Sequence, residues 1–196
     1  MRMRRVIAIF PAVLAVCLAG SAAEAPKKGP IEKLIANAIN LGSGRVVPGG
    51  QAGFVLITID RWSTPAERQA LVEAFQQKGQ DGLLRALQKT PRVGVLRTPD
   101  RLGWDLRYAV EIPTEDGGRR ILLATERRIG FWEASQSPRV SDYPFTLIEV
   151  RLDAESKGEG RMAMATKVSR SKDGQHIELE NYGTEPVRLQ NVRREK

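Results

Sequence analysis

The sequence predicts a mainly antiparallel β domain of the α+β class. The sheet is expected to be a strongly curved meander or an up-and-down barrel, with an inserted αα-hairpin and a short N-terminal helix. Three observations predict it. Strand-like runs separated by turn residues recur about every 10 residues after Pro91. A T-x-x-E box at Thr64 to Glu67 starts a helix in the middle of the strands. Apolar residues at i, i+3, i+4, i+7 and i+8 from Ile31 make a helical stripe.

Residues 1 to 25 read as a secretory signal peptide. Met1-Arg2-Met3-Arg4-Arg5 is the basic start, Val6 to Gly20 the apolar run and Ala23-Glu24-Ala25 the cleavage site. The run is shorter than the ~20 residues of a membrane-spanning helix, and Pro11 interrupts it. Anchoring as a lipoprotein through Cys17 is disfavoured, because Val16 is a poor residue before such a cut and the apolar run continues past Cys17. Cleavage leaves 171 of the 196 residues, enough for one domain with a proper core. Loss of Arg2, Arg4, Arg5 and Glu24 lowers the formal charge from +8 to +6. Cys17 is the sole cysteine and leaves with the signal, so disulfides and thiolate chemistry are excluded from the expected mature chain. A bacterial periplasm or cell exterior suits such a chain.

Residues 26 to 52 are expected to hold the N-terminal helix, with Ile31, Leu34, Ile35, Ala38 and Ile39 on one side, and then a Gly/Pro-rich linker. Residues 53 to 196 form the single β-rich domain. Phe54 to Ile59 is a continuous, β-branched apolar run, which reads as a strand buried on both faces. At about 64 to 89 comes the hairpin: Thr64 as N-cap, Pro65 at N1, Glu67 at N3, a stop at Lys78-Gly79, and a second helix ending before Pro91. Trp104, Leu106, Tyr108, Val110 and Ile112 then alternate with polar or small residues, predicting a strand with one buried face. Asp116-Gly117-Gly118 turns the chain onto Ile121 to Thr125. Further runs are Ile129 to Glu133, Phe145 to Leu152, Arg161 to Ser169, Gln175 to Asn181 and Pro186 to Val192. A sheet of this kind must close or be covered.

Five stretches, T-I-D-R-W-S-T-P-A-E-R from Thr58, Gly103 to Ala109, Arg119 to Ala134, Asp142 to Leu152 and Ile177 to Leu189, resemble a family of uncharacterised secreted bacterial proteins. The resemblance implies a secreted single-domain protein and carries no activity, ligand or catalytic residue with it.

The residues themselves limit the chemistry. His176 is the one histidine and lacks a G-x-S-x-G elbow to serve, which argues against a serine hydrolase. With Glu178 and Glu180 at i+2 and i+4 it could reach a metal, but a polar strand face is by default a solvated one. No metal or other cofactor is expected. Glu111, Glu126, Glu133 and Glu149 are carboxylates on strands; Glu149 stands out for its apolar neighbours, with Arg107 or Arg128 as expected partners. Arg119, Arg120, Arg127, Arg128, Arg139 and Arg151 share their half of the chain with Trp104, Tyr108, Phe131, Trp132 and Tyr143. Behind a secretion signal, such a mixture points away from nucleic acid and towards anionic lipid, acidic polysaccharide or an acidic protein.

Three functions follow as expectations. The first is a non-enzymatic extracytoplasmic binding domain for a small apolar or amphipathic ligand or an anionic envelope component, with Trp104, Tyr108, Arg128 and Trp132 as ligand-binding residues. The second is a hydrolase of a glycan or envelope polymer using Glu133 and Glu149. The third is a structural subunit of an envelope assembly, contacting its partner through the Ile31 to Leu41 helix.

Overall fold

The computed structural model describes residues 29–40, 52–99, 103–127, 145–163, 167–181 and 187–195. The stretch expected to be a signal peptide at 1–25, most of the expected linker and the run from Ile129 to Glu133 lie outside the described residues. The strands are β1 Glu32–Asn40, β2 Ala52–Ile59, β3 Gly94–Arg97, β4 Trp104–Pro113, β5 Arg119–Thr125, β6 Thr146–Leu152, β7 Lys157–Ala163, β8 Lys167–Arg170, β9 Ile177–Asn181 and β10 Val187–Arg194. Helical segment α1 spans Pro65–Lys89. Eight strands close a barrel in the order β1-β10-β7-β6-β5-β4-β3-β2, and β8 pairs with β9 in a separate sheet. Every junction is antiparallel. Closure leaves the barrel without a free edge, meeting the requirement that the strand pattern imposed.

An eight-stranded barrel is just wide enough for side chains to fill it. Leu34, Ala36 and Ala38 of β1, Val55, Ile57 and Ile59 of β2, and their counterparts on the other strands form one buried cluster, with Trp62 and Trp104 packed against it. A second cluster lies outside the wall. There Leu71, Val72, Leu83 and Leu87 of α1 cover Tyr108, Val110, Leu122, Ala124 and Leu147 of β4, β5 and β6. Strand β5 is therefore buried on both faces from Ile121 to Thr125.

The expected N-terminal helix is instead β1, bonded to β2 on one side and β10 on the other. Leu34, Ala36 and Ala38 point inward with Glu32, while Ile35 and Ile39 remain half-buried on the outside. A nine-residue helix is marginal by itself, whereas a strand paired on both sides satisfies its backbone groups throughout. The alternation was obscured because Ala36 is small and the outward isoleucines are apolar.

Two further expectations change. Strand β2 is not buried on both faces: Val55, Ile57 and Ile59 are inside, but Phe54 on the outer face is 60% exposed. On β4, the register slips between Leu106, opposite Thr125, and Tyr108, opposite Ala124. This one-residue bulge reverses the faces, so Trp104 and Leu106 join the barrel interior while Tyr108 and Val110 join the outer cluster.

The capping box forms as expected, Thr64 Oγ1 accepting from the Glu67 N–H at 3.2 Å and Glu67 Oε2 from the Thr64 N–H at 2.8 Å. The segment is two helices that meet at a kink at Lys78 and Gly79, the expected stop, where Gly79 takes φ +57°. Beyond the break Gly82 approaches the Ala74 carbonyl so closely that a Cβ would lie 2.3 Å from it. The single run expected from Arg161 to Ser169 is divided between β7 and β8.

Candidate functional site

The outer wall formed by β5, β6, β7 and β10 carries a concentration of guanidinium groups. Pairing sets Glu149 of β6 between Leu122 of β5 and Arg161 of β7, and sets Arg161 opposite Arg188 of β10. Arg151 stands between Arg120 and Glu159 in the same way. Glu149, Arg151, Glu159, Gly160, Arg161 and Arg188 line a shallow depression of about 220 Å³. Three arginines against two glutamates leave the depression a local excess of one positive charge.

Glu149 anchors this face. It is 5% exposed, and its Oε1 accepts from Arg120 Nε at 2.9 Å and from Arg151 Nε at 2.8 Å. The Arg120 and Arg151 side chains are 20% and 74% exposed, so the same carboxylate binds a sheltered cation and an open one. The partner expected at Arg107 is engaged elsewhere: Arg107 Nε lies 3.0 Å from Glu126 Oε2 and its Nη2 3.4 Å from Asp105 Oδ2. Held by two guanidiniums, this carboxylate fixes the arginines around it.

Of the expected ligand-binding residues, the two that are described, Trp104 and Tyr108, do not converge. Trp104 packs on the barrel interior at the start of β4, whereas Tyr108 is 2% exposed beneath α1 on the other side of the wall. Burial pushes the Tyr108 phenol up to about 12, tempered by the Ile177 backbone and the charges of Arg68 and Arg120. Its hydroxyl has no well-aligned hydrogen-bond partner among the described residues. Arg128, Trp132 and Glu133 lie outside the described residues.

A second ionic cluster closes the end of the barrel where β1 begins. Glu32, 3% exposed, accepts from Arg119 Nη1 at 2.8 Å and lies 3.2 Å from Arg194 Nε. Arg119 also lies 3.5 Å from Glu111 and donates to Ser156 Oγ at 3.4 Å. All three of Glu32, Arg119 and Arg194 continue the inward side of their strands, so this is a plug across the barrel. A third group fixes the helix: Arg61 donates to both Glu67 oxygens at 2.8 Å, and Arg61, with the Thr64 cap, lowers the Glu67 carboxyl to about 2.

His176 is buried in the turn before β9, not placed on a solvated strand face. Its Nδ1 lies 3.5 Å from Asp173 Oδ1, and the Ser171 hydroxyl donates to that same carboxylate. Since Ser171 bonds Asp173 and not the imidazole, the three residues brace a turn and do not form a nucleophile with its base. Among the described residues, no group of three or more His, Cys, Asp or Glu side chains could hold a metal ion.

Sequence reasoning missed Arg161 and Arg188 as site residues. Only the barrel register brings them to Glu149, and no local spacing announces that. Comparison with protein-family models, with characterised proteins and with solved structures finds no match to this chain.

Proposed function

We propose that this protein is a non-enzymatic extracytoplasmic binding domain whose outer wall over β5, β6, β7 and β10 takes an anionic group of a cell-envelope component. The observation that carries this reading is the depression edged by Arg151, Arg161 and Arg188, with Glu149 holding Arg120 and Arg151 in place. Guanidinium groups match phosphate and carboxylate through paired N–H donors, and pre-positioning lowers the entropic cost of binding. Export rests on the signal peptide read from residues 1 to 25 and on the cysteine-free sequence that follows it.

The other readings have less support. Both Trp104 and Tyr108 sit in packed apolar clusters on opposite sides of the wall, which disfavours a shared aromatic cavity. The paired state of Glu149 disfavours a carboxylate hydrolase. The helix through which an envelope subunit would make contact is a barrel strand.

The test is titration of the protein, recovered after export of the full chain, with inositol hexakisphosphate as a soluble polyanion. Binding is expected to weaken as salt rises, and R161Q with R188Q together should lower affinity about tenfold. Absence of binding at low salt, or an affinity unchanged by the double substitution, would overturn the proposal.

A further inference from the structure

Segment α1 lies over β4 to β6, whereas among the described residues no helix lies over the outer face of β1 and β2. Here Phe54 is 60% exposed and Ile31 38% exposed, with Ile35, Ile39 and Leu56 half-buried around them. Register makes them one strip, for Ile35 pairs with Leu56 and Asn37 with Phe54. Each side of the strip ends in arginine: Arg97 of β3 stands opposite Leu56, while Arg193 and Arg188 of β10 stand opposite Ile35 and Ile39. Arg97, Arg188 and Arg193 are exposed and make no ion pair among the described residues.

We infer that this face docks peripherally on an anionic lipid bilayer, with Phe54 and the isoleucines entering the interface and the flanking arginines meeting lipid phosphates. The inference rests on the anion-binding reading, with which it shares Arg188, and specifies lipid as the source of the anion. Two features favour a bilayer over a second copy of the chain. A planar anionic surface answers an apolar strip and both of its cationic margins at once. A twofold contact between copies would set a positively charged face against itself without a complementary anion. Contact would be superficial: the barrel is apolar inside and carries Arg120, Glu149, Arg151 and Arg161 outside, the reverse of a barrel immersed in lipid.

The experiment is co-sedimentation of the exported, purified protein with phosphatidylcholine vesicles containing about one third phosphatidylglycerol. Sedimentation with these and not with pure phosphatidylcholine is expected. F54S should lower partition about tenfold and R97Q about fivefold. Hexakisphosphate affinity should stay unchanged in F54S, because Phe54 does not line the depression. Wild-type partition in F54S, or a dimer of the parent protein that F54S dissociates, would overturn the bilayer inference. Hexakisphosphate binding without vesicle binding would overturn it too, leaving the anion-binding reading intact, whereas loss of both would overturn the two together.

Discussion

Replacing Glu32 by glutamine removes the carboxylate on which two arginines converge at the plugged end of the barrel. Glu32 is 3% exposed and the Arg119 side chain 17%, with 2.8 Å between them. Removing one partner of a buried ion pair costs ~3 to 5 kcal/mol, because the other charge stays buried without compensation. Arg119 keeps Glu111 at 3.5 Å and some contact with water, so the lower figure, ~3 kcal/mol, applies. In a domain of this size each kcal/mol moves Tm by ~2 to 4 °C, giving a fall of about 6 to 12 °C in E32Q. Thermal unfolding followed by far-UV circular dichroism at neutral pH reads this directly. A combined E32M/R119M variant should recover at least half of the loss, since apolar side chains of similar volume can replace a buried pair. A Tm within about 2 °C of the parent for E32Q would refute the argument that this pair holds the closing strand.

Three other outcomes are expected. The Glu67 carboxyl, lowered to about 2 by Arg61 and the Thr64 cap, contributes stability that is complete above the ordinary carboxylate range and is lost as pH falls towards 2. With Arg61 37% exposed, screening reduces that contribution to ~1 kcal/mol; urea curves of the parent and E67Q should differ by this amount near neutrality and converge only as pH falls through ~2. Y108F removes a buried hydroxyl without a well-aligned partner, so its unfolding free energy from urea curves should match or exceed that of the parent, by up to ~1 kcal/mol. Deleting residues 32–40 exposes the inward faces of β2 and β10, and the product should lose its cooperative thermal transition, not remain a folded domain lacking one contact.

What the sequence made legible was local. Thr64 and Glu67 contact each other three residues apart, so their chemistry is visible before any fold is known. The turn at Asp116 and the strand it leads into, Ile121 to Thr125, survive because hairpin neighbours are adjacent in the chain. Partners distant in sequence decided the rest. The reversal of faces at Tyr108 comes with Ser63, whose Oγ accepts from the Ala109 N–H at 3.0 Å and whose own N–H donates to the Ala109 carbonyl at 2.8 Å. Strand β7 was half hidden because Gly158 and Gly160 have low strand propensity. They are there for closeness: a Cβ on Gly158 would lie 1.9 Å from the Arg151 carbonyl oxygen. Of the arginine face, Glu149 was recognisable from its apolar neighbours and Arg151 lies two residues along the same strand, but its other partner, Arg120, comes from the neighbouring strand. Among the expected site residues, Trp104 and Tyr108 were placed together by a period of two that the bulge interrupts.

The seam between β1 and β10 sets the order in which the barrel can be completed. These strands hold the two extremes of the barrel's sequence, and across the seam Arg194 donates to the Ile31 carbonyl 163 positions earlier. The consecutive pairs from β2 to β7 can zip by short-range contacts, but the cylinder stays an open sheet until β10 arrives. A chain emerging from its N-terminus during synthesis would therefore wait with β1 unpaired on one side until nearly all of it has appeared. Until then the apolar lining of Ile57, Leu123 and Ile148 is accessible, so the incomplete sheet is the species most prone to aggregate.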